Sequence, residues 1–437
     1  MQVASLSYGG AAHCQPSFIP AARRPADVKF AISEAGLRSA PAALAATLLT
    51  ACGAAHGRRR KVVAPGPRSK VRCRGHNRRE AIQAGMVASA SVLQNKPAMA
   101  EEVPPSNIAV PTVRIGTTLN ASRTIQGYWQ LAGGHGSYDP EDAVKNMQNH
   151  YRAGVTTLDT ADIYGPSESI VGRFMQQQPA ALPCTKFCCF RGLETINKQE
   201  VRQRVESQLR RLQVSSLPLT AFFWSDYNVR RYVEVAQMLA GLKEEGLIRE
   251  LGATNFDTIR LKEMVDAGVP IVSNQVQLSL LDRRPLASGM ADYCEKNGIK
   301  LIAFGTVGGG LLSERYLGQP QPQVWDLNNT SLRMYFGSAN RFLGDWDLFQ
   351  ELLRTLKQVA DKHKVAIANV AQRWVLDSSP AVASVLIGVR NSDHIAENVR
   401  THSFVLDDSD KKAIAKVLEK GRGPVGDVWG LERGLVR

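Results

Sequence analysis

Three ionisable residues lie where two predicted strands end, and their types suit the movement of a proton. The strand Thr156–Asp159 leads to Tyr164, and the strand Cys184–Cys188 carries Lys186 near its end. A tyrosine hydroxyl has an ordinary pKa of about 10 and gives up its proton poorly near neutrality unless a cation lies beside it. Lys186 would supply that cation, and Asp159 would hold the lysine by pairing with it. The alternative is a loop tyrosine beside an unrelated surface ion pair, which is the more common case on composition alone.

The elements that would position these residues alternate between short β-type runs and amphipathic helices. The predicted strands are Thr124–Gln130, Thr156–Asp159, Cys184–Cys188, Leu219–Trp224, Glu250–Thr254, Ile271–Gln277, Lys300–Phe304 and Ser384–Ile387. The predicted helices are Pro140–Ala153, Ser167–Gln176, Lys198–Gln213, Arg230–Glu245, Asp257–Asp266, Leu286–Lys296 and Trp346–Lys362. This alternation predicts an α/β fold, a closed (β/α)8 TIM barrel, in which functional residues lie at the C-terminal ends of the strands. An open dinucleotide-binding sheet is disfavoured because Gly308–Gly310 is not a G-x-G-x-x-G turn.

The positive charge of the chain is concentrated at its N-terminus. The 437 residues include 54 Lys and Arg against 40 Asp and Glu, a formal charge of +14. Residues 1–100 hold 15 of the basic and 3 of the acidic residues, so residues 101–437 carry only +2. A near-neutral chain of this kind gives no indication of nucleic-acid binding. The 44% of apolar residues is ample for a globular core.

The first hundred residues have the composition of a targeting segment. They are rich in Ala, Arg, Ser and Pro and poor in acidic residues, as in a transit peptide. Paired arginines, the uncharged run Ala81–Asn95 and an Ala-x-Ala site ending at Ala100 resemble a twin-arginine export signal. We therefore expect residues 1–100 to be a chloroplast presequence, with the thylakoid lumen favoured over the stroma, and residues 101–437 to be the barrel with a C-terminal tail. One long stromal transit peptide, or a basic arm that binds RNA or lipid through Arg58–Lys61, are the alternatives.

Four segments on four predicted strand ends carry a family resemblance. They are the run Leu158–Gly165, the strand-end Lys186, the run Gly252–Phe256 and the run Asn274–Gln277. Together they closely resemble the aldo-keto reductase family, and the resemblance runs in order from about Arg123 to Gly421. It implies a TIM barrel that binds NADP(H) and transfers hydride to an aldehyde or ketone, or from the corresponding alcohol.

The resemblance implies three catalytic residues and a departure at a fourth. The family uses Asp, Tyr, Lys and His, and the first three fall on Asp159, Tyr164 and Lys186, with Tyr164 as the proton donor. The histidine position is occupied by Phe223, which cannot form a hydrogen bond with a substrate carbonyl. We expect Phe223 and Trp224 to line the substrate pocket; the alternative is that they only pack in the core, in which case the substitution need not mean inactivity. The substitution either slows carbonyl reduction or adapts the pocket to an apolar substrate.

The resemblance also assigns residues to the cofactor. It implies contacts to the nicotinamide carboxamide from Thr254, Asn255 and Gln275, ring stacking by Phe304, and contacts to the phosphate of the nucleotide from Arg390, Glu397 and Asn398. Arg390 can replace the phosphate-binding Lys that some members carry at the position of Gly388, which favours NADP over NAD. The glycine-rich run Gly308–Leu312 would cover the pyrophosphate, and the insertion Ser313–Gly344 would shape the substrate pocket.

The sequence therefore predicts an NADP-dependent oxidoreductase of a small-molecule carbonyl substrate. An alternative is a cofactor-binding, weakly catalytic redox-sensing or assembly protein, which the loss of the histidine at Phe223 would favour. The cysteines show no metal-ligand spacing, so no metal site is expected. Neither a nucleic-acid partner nor a membrane span is expected for residues 101–437, and the pattern does not specify an oligomeric state.

Overall fold

Residues 108–435 contain ten strands, eight of which form a closed parallel barrel. The structure is a computed structural model and describes residues 108–435. The strands are β1 (Thr112–Ile115), β2 (Leu119–Ser122), β3 (Thr124–Gly127), β4 (Thr157–Asp159), β5 (Leu182–Cys189), β6 (Thr220–Trp224), β7 (Leu251–Thr254), β8 (Ile271–Gln277), β9 (Lys300–Phe304) and β10 (Val382–Gly388). The barrel closes in the order β10-β3-β4-β5-β6-β7-β8-β9. The predicted (β/α)8 TIM barrel is confirmed.

Helices connect the successive barrel strands and cover the barrel from outside. They are α1 (Pro140–Arg152), α2 (Ser167–Gln177), α3 (Lys198–Leu212), α4 (Tyr232–Glu244), α5 (Thr258–Asp266), α6 (Arg284–Ala287), α7 (Met290–Lys296), α8 (Thr330–Phe342), α9 (Trp346–His363), α10 (Ile367–Asp377), α11 (Ile395–Arg400) and α12 (Asp408–Leu418). Side-chain caps fix several starts; Asp139, for example, accepts hydrogen bonds from the backbone N–H groups of Glu141 and Asp142. None of the helices within residues 108–435 is long and apolar enough to cross a membrane.

An antiparallel hairpin of β1 and β2 closes the N-terminal end of the barrel. Ile115 and Leu119 pack with Ile125, Leu219 and Ile302 in a buried cluster inside the barrel floor. The hairpin turn is held by Glu250 Oε1, which accepts hydrogen bonds from the N–H groups of the two threonines at 117 and 118, at 2.7 and 2.6 Å. Because the hairpin closes the N-terminal end of the barrel, a ligand is expected to bind at the C-terminal end.

The sequence prediction lacks β1, β2 and α10. Three other differences have a local reason. The predicted first strand ends early, because the chain turns into a short 3-10 helix at Trp129–Ala132. The predicted helix Leu286–Lys296 is divided at Gly289, which adopts a positive φ of 80°. The insertion Ser313–Gly344 contains helix α8, whose cap Asn329 accepts from the N–H of Leu332. Residues 1–100, interpreted as a presequence, lie outside the residues that the structure describes.

Buried His150 on α1 makes the stability of the fold depend on pH. Its side chain is 1% exposed, and its Nδ1 lies 2.9 Å from the carbonyl oxygen of Asn146. Burial lowers the pKa of His150 to about 4, although the hydrogen bond to Asn146 opposes this shift. Below pH 6.5 the unfolded chain binds a proton at this histidine that the folded chain does not bind until about pH 4. This difference favours unfolding as the pH falls.

The free energy of unfolding is therefore expected to decrease from about pH 6.5 towards pH 4, by up to about 3 kcal/mol from this group. Urea unfolding at a series of pH values measures the effect, and His150→Gln should remove much of the slope. Burial also lowers the pKa of His402 to about 4, so the part of the slope that remains in His150→Gln should disappear when His402→Gln is added. Equal slopes in wild type and His150→Gln would contradict this assignment.

Candidate active site

The C-terminal ends of β4 and β5 bring the predicted proton-transfer residues together. Asp159 is the last residue of β4, and Lys186 lies in the second half of β5. Lys186 Nζ lies 2.5 Å from Asp159 Oδ2 and donates to the carbonyl oxygen of Thr160 at 2.8 Å. The same Nζ lies 4.9 Å from the centroid of the Tyr164 ring. The three side chains form one cluster at the C-terminal face of the barrel.

The charges in this cluster are set by burial and by the ion pair. The side chains of Lys186 and Asp159 are 6% and 7% exposed. Burial alone would lower the pKa of Lys186, but the attraction of Asp159 and Tyr164 outweighs it and raises that pKa above its ordinary value. Burial raises the pKa of Tyr164 to about 12, even though the Lys186 cation opposes the shift. At neutral pH the lysine is therefore charged and Tyr164 keeps the proton that a general acid must donate. The net shift of the Tyr164 pKa is upward, so the lowering expected from the sequence is wrong, and Lys186 only limits the rise.

A set of polar side chains behind β5 fixes the position of Lys186. Gln208 on α3 donates to the carbonyl oxygen of Lys186 at 2.7 Å. Glu168 on α2 accepts from Thr185 Oγ1 at 2.6 Å and from Arg211 Nε at 2.6 Å. The sequence prediction missed these positioning residues. Of these residues, only Glu168 could have been found from the sequence, because it follows Tyr164 in the same motif. Its partners on α3 belong to no recognisable motif.

Phe223 lies where the family resemblance places a histidine, and it is enclosed by aromatic rings. Its side chain is 4% exposed, with its ring centroid 5.0 Å from Phe190 and 5.6 Å from Trp429. In the register between β5 and β6, Phe223 pairs with Cys188, which lies two residues beyond Lys186 on β5. This wall of the site is therefore apolar, and Phe223 offers no hydrogen bond to a ligand.

Trp224 does not share this position, which corrects the expectation that both aromatic residues line the pocket. Its side chain is fully buried in the core between the sheet and the helices, 6.0 Å from the Phe222 ring. Its indole Nε1–H donates to the carbonyl oxygens of Asp226 and Val229, at 2.8 and 2.9 Å. Neighbouring residues on a strand face opposite sides of a sheet, so Phe223 and Trp224 cannot both face the barrel axis.

The C-terminal tail after α12 docks on the same wall. Arg433 donates to the carbonyl oxygens of Asn255 and Trp224, at 2.7 and 2.8 Å, and so joins the ends of β7 and β6. Its guanidinium carbon lies 4.3 Å from the centroid of the Tyr227 ring and 5.4 Å from that of Phe223. The tail thus forms part of the site, which the sequence left undecided.

A buried ion-pair network ties the tail to the loop after β8. Arg284, 1% exposed, donates to Asp282 Oδ2 at 2.7 Å and to Glu432 Oε2 at 2.8 Å. Removing the arginine would leave Asp282, which is fully buried, without its cation. Removing one partner of a buried ion pair is costly, because the remaining charge is shielded from water and no longer has an opposite charge beside it.

Arg284→Met is expected to lower the free energy of unfolding by about 3–5 kcal/mol and to release the tail. Urea unfolding measures the first effect, and the rate of tryptic cleavage after Arg433 measures the second. The exposed pair of Arg230 and Glu263 provides the control, since Arg230→Met should cost at most about 1 kcal/mol. Equal costs for the two variants would show that the tail is not held by this network.

The residues predicted to hold a nicotinamide carboxamide lie together at the ends of β7 and β8. Gln275 Nε2 donates to Asp159 Oδ1 at 2.7 Å, and Thr254 Oγ1 donates to the carbonyl oxygen of Gln275 at 3.1 Å. Asn255 has a left-handed backbone, with φ 57°, and is 7% exposed. Its buried Oδ1 has no hydrogen-bond partner among residues 108–435. A buried acceptor without a donor is costly, and the amide N–H of a carboxamide would satisfy it, so the residues present fit this group.

The positions predicted for the rest of the nucleotide lie along β9 and β10. Phe304, half-buried, ends β9 and is followed by the turn Gly308–Gly310, and the hydroxyl of Thr306 in this loop is buried without a partner in the described part of the chain. Arg390 follows β10 and crosses to the loop after β3, where its Nη2 would lie 2.9 Å from a Cβ at Gly136.

The two remaining predicted phosphate contacts, Glu397 and Asn398, lie on α11. The Glu397 carboxylate lies 3.3 Å from His394 Nδ1. Of the three residues that the sequence predicts as phosphate contacts, Arg390 is the one that carries a positive charge.

Comparison with known proteins shows the family of this chain. Residues 124–419 match the model of the Aldo/keto reductase family. The chain belongs to the aldo-keto reductase family. It is therefore an oxidoreductase of a family that generally uses nicotinamide cofactors.

Relatives of this reductase include proteins with different activities. The NADH-specific methylglyoxal reductase of Escherichia coli is 24% identical over 338 residues, covering 70% of this chain and 98% of that protein. The structure of a glycerol dehydrogenase from Gluconobacter oxydans is similar with a TM-score of 0.62 and 25% identity, covering 73% of this chain and 98% of that one. Flagellar radial spoke protein 5 of Chlamydomonas reinhardtii is 40% identical over 139 residues, which are 31% of this chain and only 26% of that protein.

Proposed function

We propose that the protein is an NADP(H)-dependent carbonyl reductase in which Tyr164 donates the proton. The observation that carries this proposal is the contact chain at the strand ends. Gln275 bonds to Asp159, Asp159 pairs with Lys186, and Lys186 lies against Tyr164. One network thus joins the proposed carboxamide site to the proton donor, so the position of the cofactor and that of the acid depend on each other.

In the proposed reaction, the side chains of the protein deliver the proton that the carbonyl oxygen receives. A reduced nicotinamide, when bound, supplies the hydride that reduces the carbonyl carbon. Tyr164 gives its hydroxyl proton to the carbonyl oxygen, and the Lys186 cation stabilises the tyrosinate that remains. Asp159 holds Lys186 in position, and its two carboxylate oxygens are both satisfied, by Lys186 and Gln275. The reverse reaction, oxidation of an alcohol, uses the same residues with Tyr164 as the base.

The choice of NADP over NAD is supported by Arg390. Its guanidinium lies at the rim after β10 and is free to bind the additional phosphate as a fork of donors. A relative in this family is NADH-specific, so both preferences occur in the family, and we propose that in this chain the charge of Arg390 favours NADP. Arg390→Gln should raise the dissociation constant for NADPH and leave that for NADH unchanged.

A second function, a weakly catalytic cofactor-binding or assembly protein, has two observations in its favour. Phe223 removes a hydrogen-bond donor from the site, and a protein named for the flagellar radial spoke shares 40% identity over part of the chain. Such a protein would bind NADPH and leave its redox state unchanged. The two functions therefore differ in turnover and not in binding.

One experiment separates these functions. NADPH and NADH are titrated into the full-length chain by fluorescence, and the oxidation of bound NADPH is then followed with aldehydes, ketones and quinones. We expect binding and turnover on at least one carbonyl class. Binding without turnover on the whole panel would favour the assembly protein, and the absence of binding would refute both functions.

We also propose that the protein is imported into the chloroplast and cleaved after Ala100. The basic, acid-poor segment of residues 1–100 and the export-like run before Glu101 support this address. Sequencing of the N-terminus of the mature protein tests it. A start at Glu101 would support lumenal export, a start well before the paired arginines would favour the stroma, and an intact Met1 would contradict import.

A further inference from the structure

Helix α8 of the insertion crosses the C-terminal face of the barrel. At its N-terminal end, Ser331 Oγ lies 2.9 Å from His135 Nε2, and the Thr330 hydroxyl donates to the carbonyl oxygen of Gly134 at 3.2 Å, both in the loop after β3. Further along, Ser338 Oγ accepts from Gln277 Nε2 at 3.1 Å, at the end of β8. Since β3 and β8 are separated by β10 and β9 in the barrel, the helix passes over the ends of these two strands.

Tyr335 lies between these two anchors and reaches down to the end of β9. A Cβ at Gly305 would lie 2.5 Å from Tyr335 Cε1 and 2.9 Å from its hydroxyl oxygen. Only a glycine at 305, with its φ of 71°, leaves room for the ring. The hydroxyl is thereby held one residue beyond Phe304, the residue predicted to stack on the nicotinamide.

The hydroxyl of Tyr335 takes part in no hydrogen bond among residues 108–435. The residue as a whole is 6% exposed. Burial raises the pKa of Tyr335, and the nearby Tyr164 raises it further, so the hydroxyl keeps its proton at all physiological pH values. A ligand oxygen placed between the two tyrosines would accept a hydrogen bond from this hydroxyl.

Around Phe223, the described residues offer no strong second donor for a carbonyl oxygen. Phe223 has none, and Arg433 behind it uses its two terminal amino groups on backbone carbonyls. Cys188, two residues beyond Lys186, is a weak donor. Two donors at one oxygen stabilise the charge that develops there more than one does.

We propose that the Tyr335 hydroxyl is the second hydrogen-bond donor to the substrate carbonyl oxygen, in the role that the histidine position, here Phe223, cannot fill. This assignment rests on the proposed reductase function. It makes Tyr335 a catalytic residue contributed by the insertion. No bond is formed or broken at Tyr335, since the proton still comes from Tyr164.

The test measures ligand binding separately from turnover. In full-length Tyr164→Phe, a non-reducing complex of NADPH and benzaldehyde can be titrated by NADPH fluorescence. Adding Tyr335→Phe should weaken benzaldehyde about two- to tenfold, as expected for one lost neutral hydrogen bond. With Tyr164 present, Tyr335→Phe should lower kcat/KM about 100-fold and leave the dissociation constant for NADPH unchanged. Tyr316→Phe, a buried tyrosine of the same insertion, is the matched control and should change none of these values.

Three results would overturn the proposal, and they are distinguishable. Unchanged benzaldehyde affinity and unchanged kcat/KM in Tyr335→Phe would refute the donor and leave the reductase function standing. Weaker NADPH binding in Tyr335→Phe would place the hydroxyl on the cofactor instead of the substrate. Failure of the wild type to bind NADPH would refute the reductase function itself, and the donor with it.

Discussion

Tyr164→Phe is expected to lower kcat for carbonyl reduction about 1,000-fold, within the range for the loss of a general acid, with little change in NADPH affinity. The hydroxyl that is removed carries the transferred proton, while the Gln275, Asp159 and Lys186 contacts remain in place. Because burial raises the pKa of Tyr164 to about 12, the wild-type rate of reduction should stay level between about pH 6 and 10. Steady-state NADPH oxidation across this pH range measures both effects.

Two further variants make this result specific. Tyr151→Phe on α1 removes a half-buried tyrosine hydroxyl far from the strand ends and should leave kcat unchanged. Lys186→Met should lower kcat as strongly as Tyr164→Phe, and it should also lower the free energy of unfolding, because Asp159 then stays buried without its cation. A Tyr164→Phe protein with wild-type turnover would contradict the assignment of the proton donor.

Phe223→His is expected to raise kcat/KM for small aldehydes at least tenfold, because it adds a donor near the carbonyl oxygen to those of Tyr164 and the proposed Tyr335, an effect on the scale of other such donors. The imidazole should be neutral, since the Arg433 guanidinium carbon lies 5.4 Å from the centroid of the present ring and disfavours a second positive charge. A neutral imidazole still donates from one ring nitrogen. Initial rates with a series of aldehydes of increasing size measure the gain.

Phe190→His is the matched control for this variant. The Phe190 ring lies 5.0 Å from that of Phe223 but follows β5, outside the position of the family histidine. A histidine there should give no increase. An unchanged or lower rate in Phe223→His would show that the apolar wall, with Trp429 packed against it, serves the substrate better than a donor would.

The sequence predicted the site residues that lie within a recognisable strand or at its end, because the strand itself fixes where such a residue lies in the barrel. Asp159 and Tyr164 belong to one motif at the end of β4, and Lys186 is marked by its place in β5, so their convergence follows from the barrel alone. The orientation of Trp224 was also available from the sequence. Because side chains alternate along a strand, placing Phe223 inside the barrel requires Trp224 to face the helices.

Other parts of the site depend on contacts that no local pattern marks. Arg433 bonds to Asn255 and Trp224 across 178 and 209 residues of sequence, and a Gly-rich tail gives no signal for such docking. Tyr335 gains its position from the anchors of α8 at Ser331 and Ser338. These hydrogen bonds exist only after the barrel has brought β3 and β8 to the same face, so they could not be predicted from the helix alone.

The transfer of deuterium tests the central claim most directly. NADPH carrying deuterium at both hydrogens of nicotinamide C4 is mixed with the full-length protein and a panel of aldehydes and ketones, and the products are analysed by mass spectrometry. A carbonyl reductase acting through Tyr164 should form an alcohol with one deuterium on the former carbonyl carbon, and Tyr164→Phe should form almost none. Tight NADPH binding with no deuterium in any product would contradict the account and leave a cofactor-binding protein in its place.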